Sequence, residues 1–389
     1  MKNKSTDCVH AGQRRDNLGV VNAIEPSSAY QYIDGSDGGD QFYPRYFNTP
    51  NQQYIIEKVA ALECAETGVI FGSGMAAIGT TLLAMLKTGD HAVLLENIYG
   101  GTLSFVDSEF PEFGIEYDVA GPSVDQLMAS VKPNTRVIFL ETPANPLMQV
   151  VDLVELAKAA AAKNIITIVD NTFASPINQN PIALGIDLVV HSGTKYLGGH
   201  SDLSFGAVVG QSETIERIRK KAVNYGGNLN AMTCYLIERS IKTLDVRVQR
   251  QNTNAMAVAS FLDQHSGVDQ VYYPGLANHP GHDIAASQMS GFGGMMAFDL
   301  AGQACPKSFL NELSVITPAM SLGGVESTVT MPIYTSHKPI SPEERKRLGI
   351  GDRLVRLSVG IEGAEDIVSD LENALTAFSK QSTPEKCGV

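Results

Sequence analysis

Lys195 stands just beyond a strongly apolar stretch, in the run DLVVHSGTKYLGGHSDLS from Asp187 to Ser204. Its neighbours include two hydroxyls, Ser192 and Thr194, and a pair of glycines, Gly198 and Gly199, expected to let backbone approach a bound group closely. An amine held among hydroxyls at a strand's carboxyl end suits a Schiff base to an aldehyde that carries a phosphate. A solvated lysine in a glycine-rich loop is the other reading of the same segment. A second stretch, Phe71 to Ala77, places Gly72 and Gly74 where a helix begins. Free backbone N–H groups and the positive end of a helix dipole can hold a phosphate there, although glycine turns before helices are common. Asp170 ends the apolar run ITIV, where an unpaired carboxylate is costly to bury and a protonated ring nitrogen is a suitable partner. A helix-cap or turn aspartate is the alternative, since DNT favours turns. The segment ETPANP adds Glu141 and Asn145 at a further strand end.

Residues so far apart in sequence meet only if a sheet brings their strand ends together. From about residue 51 the chain alternates helical and short apolar segments, which predicts a mostly parallel sheet covered by helices on both faces. Helices are predicted over Gln53 to Ala65, Met75 to Leu86, Ser123 to Val131, Leu153 to Lys163 and Glu213 to Val223. Strands are predicted over His91 to Leu95, Arg136 to Glu141, Ile165 to Asp170, Asp187 to His191 and Gly206 to Gly210, with Val69 to Phe71 running into GSGMAA. In an open parallel sheet, ligands collect at the carboxyl ends of strands, and that is where the reactive residues fall.

After Gly226 a long periodic segment, Ala231 to His265, reads as one or two helices leaving the first domain. Strands at Val268 to Tyr272, Met295 to Asp299, Ser314 to Pro318 and Leu354 to Val359, with helix around Phe309 and over Glu365 to Phe378, form a smaller α+β domain. The first fifty residues, with Tyr30, Tyr32, Phe42, Tyr43, Tyr46 and Phe47, lack clear periodicity and read as an extended arm that needs another surface. The expected division is an arm over 1–50, a large domain over 51–246 and a C-terminal domain over 247–389.

Composition narrows the classes. The 389 residues carry a net charge of −13 with cations dispersed among acids, which argues against nucleic acid as a partner. No segment approaches the roughly 20 uninterrupted apolar residues of a membrane helix, and the start has no apolar leader, so no membrane association and a cytoplasmic location are expected. The five cysteines form no CxxC pair, which indicates neither a disulfide framework nor a zinc site. His279 and His282 sit in a proline- and glycine-containing loop without a third ligand nearby, so no metal is expected.

The ordered motifs VHAG at 9–12, YPRYFN at 43–48, SGMAAI at 73–78, YGGT at 99–102, ETPANP at 141–146, VDNTFASP at 169–176, HSGTKYLGGHSD at 191–202, SLGGVES at 321–327 and VRLSVGIE at 355–362 span essentially the whole chain. In these the chain resembles the pyridoxal-phosphate enzymes of cysteine and methionine metabolism, the transsulfuration family of cystathionine synthases and lyases and methionine gamma-lyase. The resemblance implies the fold type I α/β architecture, pyridoxal 5'-phosphate as cofactor and a homotetramer built from dimers that share active sites. By it Lys195 matches the lysine that binds the cofactor covalently and shuttles protons, and Asp170 matches the partner of the pyridine nitrogen. Tyr99 matches the tyrosine stacked on the ring and the acid for departing sulfur. Gly74, Met75, Ser192 and Thr194 match phosphate ligands, while Tyr43 and Arg45 match residues that reach a neighbouring subunit's phosphate. Arg356 matches the clamp on the substrate α-carboxylate, helped by Ser321 and Asn145. Taken alone, Tyr99 and Tyr43 also suit core or interface aromatics, and Arg356 a structural ion pair.

Departures from the family pattern bear on substrate. Pro44 lies between Tyr43 and Arg45, and Asn48, Thr49 and Pro50 replace the usual order of asparagine, proline and threonine, so the arm's path is open. Met320 stands where cystathionine gamma-synthases and gamma-lyases commonly carry glutamate, which suits a distal amino group that methionine cannot pair. Gly101 stands where methionine gamma-lyases commonly carry cysteine. The tail MPIYTSHKPIS, 331–341, is somewhat similar to plant-type cystathionine beta-lyases. The expected function is carbon–sulfur cleavage of a sulfur amino acid by beta or gamma elimination. Gamma substitution by a cystathionine gamma-synthase or O-acylhomoserine sulfhydrylase is the alternative, with an aminotransferase or a catalytically silent binding subunit behind it.

Overall fold

The all-apolar runs HAVLL and GAVVG become strands buried along their whole length, as a sheet covered on both faces requires. The computed structural model describes residues 3–15, 19–31, 41–302, 305–335 and 341–380. Tyr32 of the arm and residues 336–340 of the tail segment lie outside the described residues. Seven strands, β1 (Thr67–Phe71), β2 (His91–Leu95), β3 (Glu116–Ala120), β4 (Thr135–Glu141), β5 (Ile166–Asp170), β6 (Leu188–Ser192) and β7 (Gly206–Gly210), form one sheet in the order β1-β7-β6-β5-β4-β2-β3. All pairs are parallel except those of β7, which runs antiparallel to β1 and β6. Along β1, Val69 and Phe71 join one apolar cluster and Ile70 the other, the period-two alternation of a strand between two helical layers.

A second sheet has the order β10-β11-β12-β9-β8, from β8 (Val268–Tyr272), β9 (Met295–Leu300), β10 (Thr317–Pro318), β11 (Thr328–Thr330) and β12 (Leu354–Ser358). The periodic segment after Gly226 resolves into two helices, Ala231–Ile241 and Leu244–Asp263. The longer one spans both cores. Leu244 and Val248 pack in a cluster beside the first sheet, while Ala255, Val258 and Leu262 pack beneath the second.

The chain differs locally from the expected elements. The strand expected from Ser314 shrinks to Thr317–Pro318 because the backbone N–H groups of Ser314, Val315 and Ile316 donate to the Asp370 carboxylate at 2.8–3.0 Å instead of to a ladder. The helix Gly100–Phe113 starts at a glycine pair that reads locally as a turn, and β3 is a half-exposed edge without an apolar run. The arm begins with the helix Lys4–His10, where Lys58 Nζ donates to the Cys8 carbonyl at 3.0 Å. Finally, Cys8, Cys64 and Cys234 are free thiols but Cys305 is disulfide-bonded. Among the described residues no helix is long and apolar enough to cross a membrane, and no cluster of three metal-ligating side chains occurs.

Candidate active site

The carboxyl ends of β4, β5 and β6 and the turn after β1 open into a cavity of about 670 Å³, which the loop after β10 and strand β12 close from the second sheet. Lys195 lines it with Gly74, Met75, Tyr99, Glu141, Asn145, Asp170, Ser192, Thr194, Met320, Ser321 and Arg356, so these residues singled out from sequence meet in one place. The amine is fixed by a tight turn in which Lys195 N–H donates to the Ser192 carbonyl at 3.2 Å and Gly199 N–H to the Lys195 carbonyl at 2.7 Å. Lys195 Nζ donates to Ser321 Oγ at 2.9 Å. Burial, then the charge of Arg356, push the amine below its ordinary value against the opposing pull of Asp170. These neighbours distinguish it from a solvated surface lysine.

The adjacent glycines serve a different purpose from the one expected. Gly199 has φ +69°, and a Cβ on it would lie 2.0 Å from Arg247 Nη1. Arg247 is buried and donates to the carbonyls of Tyr196 at 2.8 Å and Ser240 at 3.1 Å. The glycine therefore admits a structural guanidinium behind the loop, not a ligand in front of it.

A dianion would find its donors on the other wall. Ser73 caps the helix Gly74–Met85 by accepting from Ala76 N–H at 3.1 Å, which leaves the first-turn N–H groups of Gly74 and Met75 without helical partners. A Cβ at Gly74 would come 2.8 Å from Ser192 Cβ, so this approach of helix and strand needs glycine. The hydroxyls of Ser192, Thr194 and Ser204 complete the wall. Ser204, whose Oγ donates to the Gly72 carbonyl at 3.1 Å, has no spacing signal that marks it in the sequence. Backbone N–H groups, hydroxyls and a helix N-terminus fit a phosphate.

Asp170 is buried, and its Oδ1 accepts from Thr172 N–H at 3.0 Å and from the Thr172 hydroxyl. Among the described residues no donor reaches Oδ2, which leaves that oxygen for a cationic ring nitrogen. Burial raises the carboxyl above its ordinary value while Thr172, His191 and Lys195 oppose the shift. Its register partner across β4 and β5 is Glu141, so two carboxyls face the cavity side by side. Burial and the neighbouring Asp170 hold Glu141 well above the ordinary carboxylate range.

Tyr99 precedes the helix Gly100–Phe113, is 48% exposed and leans over Gly101, where a Cβ would lie 2.5 Å from its ring. Arg356 sits on β12, is 8% exposed and donates to Asn145 Oδ1 at 2.9 Å, an amide instead of the carboxylate of a structural ion pair. Burial lowers it to about 10, opposed by Glu141, Tyr196 and Tyr99. Ser321 has φ +86°, an uncommon conformation for a residue with a Cβ, and Met320 beside it is 73% exposed.

Tyr43 and Arg45 stay apart from this cavity. They line a shallow surface cavity with Tyr30, Phe42 and Tyr46, where Arg45 lies over the rings of Tyr43 and Tyr46 and donates to the Val223 carbonyl at 2.9 Å.

The chain matches the family described as Cys/Met metabolism PLP-dependent enzyme over residues 5–376. It is 41% identical over 379 residues to a cystathionine beta-lyase of Lactococcus lactis subsp. cremoris, covering 96% of this chain and 99% of that protein. To an L-methionine gamma-lyase of Fusobacterium nucleatum subsp. nucleatum it is 41% identical over 384 residues, covering 95% of this chain and 97% of that one. The crystal structure of a cystathionine gamma-lyase from Lactobacillus plantarum, complexed with L-serine, superposes with a TM-score of 0.93 at 34% identity, covering 97% of this chain and 100% of that chain. The chain belongs to the family of pyridoxal-phosphate-dependent enzymes of cysteine and methionine metabolism.

Proposed function

We propose that the protein cleaves the carbon–sulfur bond of a sulfur amino acid, with cystathionine and then methionine or homocysteine as the substrates to test first. The observation that carries this reading is the convergence of Lys195, Asp170, Tyr99 and Arg356 in one cavity. When bound, pyridoxal phosphate supplies an aldehyde for an amine and a ring that draws electrons from the substrate's α-carbon. Lys195 is the residue that would hold the aldehyde carbon, and its free Nζ would take the α-proton; its lowered proton affinity suits a base. Asp170 would hold a proton on the ring nitrogen through its other oxygen. Gly74 and Met75 N–H groups, with Ser192 and Thr194, receive the phosphate. Tyr99 would cover the ring and give a proton to the departing sulfur, and Arg356 with Asn145 and Ser321 would receive the α-carboxylate.

Met320, exposed at the cavity, weakens the gamma-synthase and gamma-lyase readings alike, because methionine cannot pair a distal ammonium as a carboxylate there would. The two curated relatives at equal identity differ in name by beta and gamma cleavage, so the bond cut is left to a product assay. The same reading makes the protein a cytoplasmic homotetramer with an arm over 1–50, a large domain over 51–246 and a smaller one over 247–389. The exposed Tyr43 and Arg45 support an arm that completes a neighbour's phosphate site, because neither serves the cavity of its own chain. Release of a 2-oxo acid from cystathionine by protein showing visible cofactor absorbance tests the proposal; absence of both rejects it.

A further inference from the structure

Glu141 is the one carboxyl of the cavity to which no step assigns a task. It ends β4, it is buried, and its Oε2 accepts from the Tyr99 backbone N–H at 2.9 Å. The Asn145 backbone N–H and the charge of Arg356, which faces it from the second sheet, both favour its ionised form against the burial. Arg356 in turn donates to Asn145 Oδ1 at 2.9 Å. One side chain thus touches the residue that opens the helix Gly100–Phe113 and the turn after β4, and it faces β12. Those three elements carry the ring-covering tyrosine, the amide of the clamp and its guanidinium.

We propose that Glu141 is a positioning residue that sets Tyr99 and the Asn145–Arg356 clamp in a single frame, so that the ring cover and the substrate carboxylate keep a fixed relation. It acts through hydrogen bonds and touches no reacting atom. Burial and the adjacent Asp170 raise the carboxyl well above its ordinary range, and glutamine reproduces its shape and its acceptor oxygen, whereas alanine leaves the Tyr99 N–H group without a partner. This inference rests on the lyase reading for its kinetic arm and on cofactor binding alone for its spectroscopic arm.

The test compares holoenzymes of wild type, Glu141→Ala and Glu141→Gln in three measurements: visible circular dichroism of the bound cofactor, affinity for L-alanine from the spectral change, and kcat and KM for cystathionine. Misplacement on the scale of an ångström costs up to about a hundredfold. Glu141→Ala should bind L-alanine about tenfold more weakly, alter the visible dichroism and lose about ten- to a hundredfold in kcat/KM, with Glu141→Gln recovering to within about threefold. Should Glu141→Ala fail to retain cofactor, Glu141→Asp, whose shorter carboxyl falls short of Tyr99 N–H, takes its place. An alanine or aspartate variant equal to wild type in L-alanine affinity and dichroism overturns the inference, as does a glutamine variant as impaired as alanine. If wild type cleaves no carbon–sulfur bond, the lyase reading fails and the L-alanine and dichroism results still decide the role of Glu141.

Discussion

Lys195 Nζ donates to Ser321 Oγ at 2.9 Å, which joins the turn after β6 of the first sheet to the loop after β10 of the second. The lysine's resting position is therefore set from both halves of the chain, and Ser321 adopts φ +86° to supply the hydroxyl. Ser321→Ala removes one hydrogen bond to a cation, an interaction of about 1.5–3 kcal/mol. We expect a loss of about tenfold in kcat/KM with cofactor affinity unchanged, measured by steady-state kinetics and cofactor titration; loss of cofactor binding instead would assign the contact to retention of the cofactor.

Gly101 governs the ring of Tyr99. A Cβ at position 101 would lie 2.5 Å from that ring, so Gly101→Ala pushes the ring out of its place. The expected result is a fall in kcat of at least about tenfold with the cofactor still bound, since acid–base groups act only within hydrogen-bond reach. An unchanged kcat would contradict that displacement of the Tyr99 ring.

Asp170 and Glu141 give the apoprotein a defined pH response. Both folded-state values are raised, so the native protein keeps protons that the unfolded chain releases. That contribution to stability is complete below the ordinary carboxyl range and disappears as pH rises through the folded-state values. Glu141→Gln removes one of the two groups. Its urea midpoint relative to wild-type apoprotein should therefore rise as pH increases above the ordinary carboxyl range; a difference that stays constant would mean that Glu141 is ionised in the fold.

The reading of Tyr43 and Arg45 as residues of a neighbour's site predicts complementation. Arg45→Ala should weaken cofactor retention, and mixed with Lys195→Ala it should regain activity, because some sites then receive both intact residues. Activity in the mixture equal to the sum of the separate variants would place each site within one chain.

Much of the site was legible because it lies in contiguous runs. Lys195 with Ser192 and Thr194, Asp170 after ITIV, and Gly74 at a helix start each combine a residue type with a strand or helix end, and parallel strands bring such ends together. What depends on register or on distant packing left no local signal. Ser204 gains its meaning from a contact with the Gly72 carbonyl and Gly199 from Arg247, 48 positions further along the chain, while the pairing of Glu141, itself visible at a strand end, with Asp170 appears only in the register of β4 and β5. The shortened strand before Met320 shows the same limit, since the Asp370 carboxylate that takes its N–H groups lies on the helix Ala364–Ser379.

Product analysis on cystathionine with wild-type protein and Lys195→Ala, side by side, tests carbon–sulfur cleavage through Lys195 most directly. Homocysteine with pyruvate, or cysteine with 2-oxobutyrate, is expected from wild type, with turnover lowered by more than about a thousandfold in the variant. No 2-oxo acid from cofactor-loaded wild type, or full turnover by Lys195→Ala, would contradict it.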